Sequence, residues 1–193
     1  MKNISEIFFK YRSYTPVPFV ILMLIFQEAT LGSLIFGFVI AAAGEFFRFW
    51  GVSYAGSETR TTGTVGGTYL VVSGAFAHVR NPLYFGNMLI YAGIGTMALA
   101  WHPYLLLAAM IFFYFQYYSI ISEEEKFLTQ KFDSQYTEYV KKVPRWIPTF
   151  AKYKNPGIPQ PDFNPTAALK SESRTLQAIS LITVILIIFY LVK

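Results

Sequence analysis

Five apolar runs, separated by short or polar connections, constrain this chain more than any other feature of its sequence. They cover residues 14–26, 31–47, 82–100, 104–121 and 176–192. A helix that crosses a membrane needs roughly 20 apolar residues, because the hydrocarbon layer is about 30 Å thick. The first run is the shortest; it could form half of a shallow hairpin, but it is expected to span with its flanking residues. The chain is therefore predicted to be an all-α integral membrane protein with about five transmembrane helices.

The composition supports a membrane protein and excludes several kinds of site. Hydrophobic residues make up 54% of the chain and charged residues 14%, which is too apolar for an ordinary soluble domain. Aromatic residues reach 19%, which suits anchoring at two membrane–water interfaces. The sequence has no cysteine, so disulfides, thiolate catalysis and Cys-ligated metals are excluded, and with two histidines no metal site is predicted.

The basic residues are distributed unevenly along the chain, and this predicts its orientation. Of the 16 Lys and Arg residues, all but Lys193 lie near the N-terminus or in and beside the two long polar stretches, whereas residues 27–30 and 101–103 contain none. Basic residues favour the cytoplasmic side of membrane proteins. The N-terminus and both polar stretches are therefore predicted to be cytoplasmic, at the inner membrane if the protein is bacterial. The net charge of +5 then reflects topology and attraction to anionic lipid, and no nucleic-acid partner is predicted.

The first polar station, residues 70–86, leads directly into the third apolar run through Arg80, Asn81 and Pro82. The residue before a proline is disfavoured in a helix, whereas proline suits the first helical position, so Asn81 is expected to be an N-cap. Taken alone, this pattern could simply start a membrane helix. With Arg80 and Tyr84 beside the free N–H groups of a helix start, it could also bind an anionic or polar ligand.

The second polar station, residues 122–148, opens with Glu123, Glu124 and Glu125. Ser122 and Glu125 have the spacing of a capping box, which gives Glu125 a structural explanation. The capping box does not explain the carboxylates of Glu123 and Glu124, which could hold a ligand ammonium group or ribose hydroxyls.

An apolar stripe at helical spacing follows the three glutamates. Its members recur at steps of three or four residues and are Leu128, Phe132, Tyr136, Tyr139 and Val143. Lysines accompany the stripe, so the sequence predicts a cytoplasmic amphipathic helix on the membrane surface. The next segment, residues 144–165, contains six prolines and is predicted to be extended.

A second group of ionisable residues includes Glu45, Arg48, Glu58 and Arg60. Glu45 falls within an apolar run, and an ionisable group inside a membrane is a candidate functional residue. An interfacial ion pair with Arg48 or Arg60 would also explain its position. His78, near the first station, could act as a base or serve a structural role.

The two stations together resemble the isoprenylcysteine carboxyl methyltransferase and phospholipid N-methyltransferase superfamily of membrane enzymes. The superfamily pattern is Arg-His-Pro-x-Tyr-x-Gly, followed about forty residues later by Glu-Glu; here it reads Arg80-Asn81-Pro82-Leu83-Tyr84-Phe85-Gly86 and then Glu123-Glu124. The resemblance covers roughly residues 69–148 of a single membrane domain, flanked by residues 1–68 and 149–193. Asn81 stands where many members have His, a form similar to the phospholipid-methylating branch.

The resemblance implies a methyltransferase that uses S-adenosylmethionine at the cytoplasmic face. The acceptor would be a lipid or another membrane-embedded molecule, either a phospholipid amine or an isoprenylcysteine-like carboxylate. The residues expected to bind the cofactor are His78, Arg80, Asn81, Pro82, Tyr84, Gly86, Glu123 and Glu124. Those expected to act on the reacting groups are Arg80, Glu58 and Arg60. Such an enzyme must align the reactants and exclude water, and a lipid amine would also have to lose a proton.

Two other interpretations remain open at this point. A membrane reductase with NADPH could share a related helical core, although it would need a basic pocket for the 2′-phosphate and usually a longer chain. A non-catalytic membrane adaptor could use the two stations only as helix caps and topology signals.

Overall fold

The chain forms an all-helical bundle in which every described element except one short 3₁₀ helix is an α-helix. The computed structural model describes residues 4–56 and 69–193, and within these ranges it contains no strand. The predicted all-α class is therefore confirmed. The α-helices are α1 (Ile4–Tyr11), α2 (Pro16–Ile25), α3 (Leu31–Ala55), α4 (Pro82–Ala98), α5 (Tyr104–Lys142) and α6 (Pro165–Val192), and the 3₁₀ helix is Gly74–Ala77.

Three of the described helices, α3, α5 and α6, are long and apolar enough to cross a membrane. Their outward faces carry large exposed apolar side chains such as Phe36, Phe115 and Leu191, as expected of helices surrounded by lipid. Helix α4 has 17 residues, about 26 Å at the helical rise, and α2 has only ten, about 15 Å. The predicted count of about five spans is therefore approximate.

The first predicted span, residues 14–26, is helical only over the ten residues of α2. Helix α2 begins only at Pro16, after a turn in which the N–H groups of Tyr14 and Thr15 donate to the carbonyl of Tyr11. It ends at Ile25, where the ring of Phe26 stacks on Trp101 at 4.1 Å. Below we call this end of the bundle the Trp101 end and the opposite end the Glu124 end.

Helices α3 and α4 pack antiparallel through pairs of glycines. A Cβ atom on Gly37 would lie 2.5 Å from the carbonyl oxygen of Gly93, and one on Gly44 would lie 2.5 Å from that of Gly86. The pairs are seven residues apart, or two helical turns, so the two backbones remain close along much of their length. Glycine is required here because no side chain fits between the helices.

Helix α5 continues beyond its apolar part, residues 104–121, without a new helix start. The hydroxyl of Ser122 donates to the carbonyl of Tyr118 one turn earlier at 2.7 Å. The predicted capping box of Ser122 and Glu125 is therefore wrong, since neither residue lies at a helix N-terminus.

A sharp bend at Asp133 reverses the direction of α5. Asp133 has φ 39° and ψ −111°, and this non-helical residue divides the helix into two parts. The reversal is required by the contact between Arg145 and Glu125, which are 20 residues apart. A straight helix of that length would separate them by about 30 Å.

The predicted apolar stripe of α5 packs against protein. Two buried tyrosines of the stripe, Tyr136 and Tyr139, join a core cluster with residues from the first station and the Pro-rich segment. The hydroxyl of Tyr139 also donates to the carbonyl of Phe76 at 2.7 Å. The buried members of this cluster are Leu70, Val72, Ala77, Tyr136, Tyr139, Val143, Tyr153 and Ile158. The stripe thus joins the two stations, whereas its pattern alone favours a helix lying on lipid.

Helix α6 packs against α3 within the same chain. Its N-cap Asn164 accepts a hydrogen bond from the N–H of Ala167, and its own N–H donates to the carbonyl of Ser53 near the end of α3. Further along α6, the hydroxyl of Thr183 lies 3.9 Å from the sulfur of Met97, near the C-terminal end of α4. Helix α6 therefore runs from the Glu124 end towards the Trp101 end.

Candidate functional site

The two polar stations meet in a hydrogen bond between Tyr84 and Glu124. Tyr84 lies in the first turn of α4, and Glu124 follows the apolar part of α5 by three residues. The Tyr84 hydroxyl donates to Oε1 of Glu124 at 2.7 Å. Burial raises the pKa of the Glu124 carboxyl to about 7, while the hydrogen bond from Tyr84 and the positive charge of Arg12 act in the opposite direction. The site therefore holds a carboxylate that is costly to ionise without a positively charged partner.

The three consecutive glutamates point in different directions, because successive residues of a helix are rotated by about 100°. Glu124 faces Tyr84, whereas Glu123 pairs with the exposed Lys126 at 2.8 Å. Glu125 turns towards Arg80 and Arg145. The structure thus brings one member of the predicted Glu123–Glu124 pair to Tyr84 and places the other outside this contact.

Glu125 is shared by two arginines, and sequence reasoning missed its part in the site. Its Oε1 lies 3.4 Å from Nη1 of Arg80, and its Oε2 accepts from Nε of Arg145 at 3.0 Å. The backbone N–H of Arg80 also donates to the carbonyl of Pro144 at 2.9 Å. Two guanidinium groups with one carboxylate leave an excess positive charge that favours an anion. The spacing from Glu125 to the Pro144-Arg145 pair was the available signal, but it needs the bend at Asp133 to become a contact.

Asn81 and Pro82 occupy the predicted first positions of α4, but the Asn81 side chain does not cap the helix. Its Nδ2 donates instead to the backbone carbonyl of Arg145 at 3.1 Å. Asn81 therefore helps to fix the second station against the first.

His78 and Gly86, both predicted to bind the cofactor, make structural contacts. Nδ1 of His78 lies 2.8 Å from the carbonyl oxygen of Thr149, and the His78 carbonyl accepts from the Thr149 N–H. The bare backbone of Gly86 faces Gly44 and Arg48 of α3. The predicted roles of both residues in cofactor binding remain predictions.

A second polar cluster lies around Arg48 of α3. It includes Asn87 of α4, which lies one turn beyond Tyr84. Arg48 donates to Oε2 of Glu172 from Nε at 3.0 Å and from Nη2 at 2.5 Å, and to Oδ1 of Asn87 from Nη1 at 2.6 Å. The predicted pairing of Glu45 with Arg48 is confirmed at 3.6 Å. Glu172 was missed because it lies 124 residues from Arg48 in sequence.

Glu58 and Arg60, both predicted to act on the reacting groups, lie outside the described residues. Their roles remain predictions.

Buried and partly buried tyrosines continue from the site into the apolar layer. The rings of Tyr84 and Tyr117 lie 4.9 Å apart, and the hydroxyls of Tyr117 and Tyr91 lie 3.1 Å apart. Deeper in the bundle, Thr15 donates to Oε1 of the fully buried Gln116 at 2.9 Å. These contacts connect α2, α4 and α5 below Glu124.

Comparisons with known proteins give a family match and a similar protein. A model described as phospholipid methyltransferase matches residues 33–135, which include α3, α4 and the three glutamates. The matched region therefore begins earlier than the predicted core of residues 69–148. The chain is also similar to the cobalt-zinc-cadmium resistance protein CzcN of Cupriavidus metallidurans, with 32% identity over 127 residues. This alignment covers 65% of the chain and 51% of the relative, so the chain spans about half the length of that protein. No solved structure matches the chain.

Proposed function

Because the chain belongs to the phospholipid methyltransferase family, we propose that it transfers a methyl group from S-adenosylmethionine to an acceptor held in the membrane. The observation that carries the proposal is the contact between Tyr84 and Glu124, which joins the end of the first station to the start of the second. The name of the metal-resistance relative describes that protein alone, and the proposal rests on the family and the site.

The charges at the site fit the amino-acid part of this cofactor. Glu124 offers a carboxylate to an ammonium group, and the excess positive charge of Arg80 and Arg145 over Glu125 suits a carboxylate. Nε of Arg80 is also buried without a hydrogen-bond partner in the part of the chain that the structure describes. A buried donor in this state is costly, and a bound anion would satisfy it.

The cofactor, when bound, supplies a methyl group already activated by a sulfonium centre. The residues of the chain therefore need to bind, orient and exclude water. Glu124 and Arg80 would hold opposite ends of the amino-acid moiety, with Tyr84 fixing the Glu124 carboxylate. The partly buried Tyr91 and the buried Tyr117 would keep the apolar side of the site dry.

The acceptor is proposed to be a lipid that enters between helices from the cytoplasmic leaflet. The two classes implied by the sequence are a phospholipid amine and an isoprenylcysteine-like carboxylate. Arg48 of α3 donates to Asn87, which lies one turn beyond Tyr84 in α4, and Arg48 could meet an acceptor phosphate or carboxylate. Glu58, Glu45 and His78 are the candidates to take a proton from an amine. The cytoplasmic orientation is supported by the distribution of Lys and Arg.

Calorimetric titration of the purified protein in lipid-containing detergent with S-adenosylmethionine tests the proposal. We expect saturable binding that is lost in Glu124→Gln and Arg80→Ala. Glu138→Gln is the matched control, because Glu138 is exposed and paired with Lys141 away from Tyr84. Each variant is first checked for folding by size-exclusion chromatography.

Other outcomes of the same titration would contradict the proposal. Binding of NADPH in place of S-adenosylmethionine would favour a reductase. Absence of binding of either ligand by the folded wild type, together with unchanged behaviour of both site variants, would favour an adaptor.

A further inference from the structure

A pocket of about 380 Å³ lies outside the contacts of the proposed methyl-donor site, between the end of α3 and the Pro-rich segment. A volume of this size is sufficient for a small ligand or a lipid headgroup. The described residues that line it include Tyr54, Ser73, Gly74, Lys152, Lys154 and Asn155.

The pocket is shaped by fixed backbone and an aromatic ring. Gly74 has φ +60°, and a Cβ atom there would lie 2.2 Å from the ring of Tyr54. The wall formed by the Pro-rich segment is also fixed, because the N–H of Tyr153 donates to the carbonyl of Ala77 at 2.9 Å. The side chain of Asn155 is held by its own turn, in which its Oδ1 accepts from the N–H of Ile158 at 2.8 Å.

The charge of the pocket favours an anion. Lys152 and Lys154 both line it, and no carboxylate does so among its described residues. Glu138 acts electrostatically on Tyr153 in the wall, but it is paired with Lys141 at 2.6 Å. The two lysines and the Ser73 hydroxyl therefore provide hydrogen-bond donors without a competing acidic group in the lining.

The pocket also lies at the level where a membrane would end. Tyr54 is in the last turn of α3, a helix of 25 residues that is long enough to span the bilayer. The Pro-rich segment that carries the two lysines contacts the apolar part of α5 near its own start, where the ring of Trp146 packs on Tyr114 at 5.3 Å. Tyr114 is seven residues before Ile121, about 10 Å along the helix.

Exposed apolar side chains follow Trp146 in the Pro-rich segment. Ile147 is 77% exposed and Phe150 is fully exposed, and both lie between Trp146 and the two lysines. Apolar side chains followed by lysines are typical of segments that insert into a membrane surface while their charges meet the headgroups.

We propose that this pocket binds the phosphate of an anionic phospholipid from the leaflet at the Glu124 end. Lys152 and Lys154 contact the phosphate, and Ile147 and Phe150 lie among the neighbouring acyl chains. The site is separate from Tyr84 and Glu124, and it does not depend on whether the protein transfers methyl groups.

The proposal is tested by native mass spectrometry of the full chain in detergent, titrated with phosphatidylglycerol or phosphatidylcholine. We expect one retained phosphatidylglycerol molecule per chain and much weaker retention of phosphatidylcholine. In the double variant Lys152→Gln/Lys154→Gln, the affinity for phosphatidylglycerol should fall by about 30-fold, at roughly 1 kcal/mol for each lysine near an anionic surface. The matched control Lys131→Gln/Lys170→Gln removes two exposed lysines elsewhere and should retain the lipid.

Three results would overturn the proposal. The first is equal retention of the two lipids by the wild type. The second is unchanged phosphatidylglycerol affinity in Lys152→Gln/Lys154→Gln. The third is displacement of the lipid by inorganic phosphate at the same concentration, which would assign the pocket to a free anion.

Discussion

At the scale of single residues, Glu124 shows how a local environment can prepare a site for a cation. Its hydrogen-bond donor is Tyr84 of α4, and the positive charge of Arg12 also acts on its carboxyl. Because burial raises its pKa to about 7, a further positive group placed at the carboxyl would favour its ionised form. This property separates it from Glu123, which is paired with Lys126.

The raised pKa predicts opposite effects of pH on stability and on cofactor binding. Folding favours the protonated carboxyl, so this contribution to stability is present below the ordinary value of 4.5 and is lost as the pH rises through about 7. Binding of an ammonium group needs the ionised form and should tighten over the same rise. Thermal unfolding and calorimetric binding between pH 5.5 and 8 measure both effects.

Glu124→Gln is the control for this pH dependence, since it keeps the shape of the side chain and removes its titration. We expect the relative loss of stability at higher pH to disappear in the variant. An unchanged pH profile of unfolding would assign the titration to another group.

At the scale of helices, the glycine pairs of α3 and α4 place the polar residues of the site. Close approach of the two backbones brings Arg48 of α3 within hydrogen-bond distance of Asn87 of α4 at 2.6 Å. A larger separation would break this contact, because a hydrogen bond tolerates only a few tenths of an ångström.

Gly44→Ala is therefore expected to destabilise the bundle and disturb the Arg48 cluster. The new methyl group would meet the carbonyl oxygen of Gly86 at 2.5 Å, and backbone cannot yield as a flexible side chain can. We expect a loss of about 1–3 kcal/mol in a mixed-micelle unfolding titration, typical of overpacking. Gly32→Ala is the control, since the nearest atom is 4.0 Å away, and it should be tolerated. Equal stability of the two variants would show that the helices do not depend on this close approach.

Sequence patterns predicted the elements better than their partners. The start of α4 at Pro82 and the apolar part of α5 follow from local rules of proline geometry and hydropathy. The bend at Asp133 does not, because the stripe on both sides of it has helical spacing and nothing in the spacing marks the reversal. The contact of Arg145 with Glu125 follows from that bend and was missed with it.

At the scale of the whole molecule, α6 is a part of the bundle that sequence reasoning could not place. Its Glu172 reaches Arg48 across 124 residues, and both side chains are nearly inaccessible, at 1% and 11%. A hydrophobic run predicts a membrane helix, but it does not predict which other helix that helix packs against. The long-range ion pair supplies that information only when the structure is known.

Loss of this ion pair should weaken the attachment of α6. Glu172→Ala leaves the Arg48 guanidinium buried without its shortest contact, which typically costs on the order of 3 kcal/mol. An unfolding titration in mixed micelles measures the loss. Glu138→Ala removes an exposed carboxylate and should behave as the wild type. Equal effects of the two substitutions would contradict a structural role for the buried pair.

Engineered cysteines test the packing of α6 directly, since the natural chain has none. Ser53→Cys/Asn164→Cys joins positions whose backbones are hydrogen-bonded at 2.8 Å and should cross-link within one chain. Ser53→Cys/Thr183→Cys is the control, because Thr183 lies beside Met97 towards the other end of the bundle. Cross-linking only between chains would show that α6 packs on a second copy.

The hydrogen bond between the N–H of Arg80 and the carbonyl of Pro144 has a consequence for evolution and for engineering. It brings together the two ends of a stretch of about 65 residues that holds α4, α5 and both halves of the site. A stretch whose ends meet can be exchanged as a cassette without changing the distance that its neighbours must bridge. Grafting this cassette between relatives would transfer Tyr84 and Glu124 as one unit, with the distance between its ends set by the same backbone hydrogen bond.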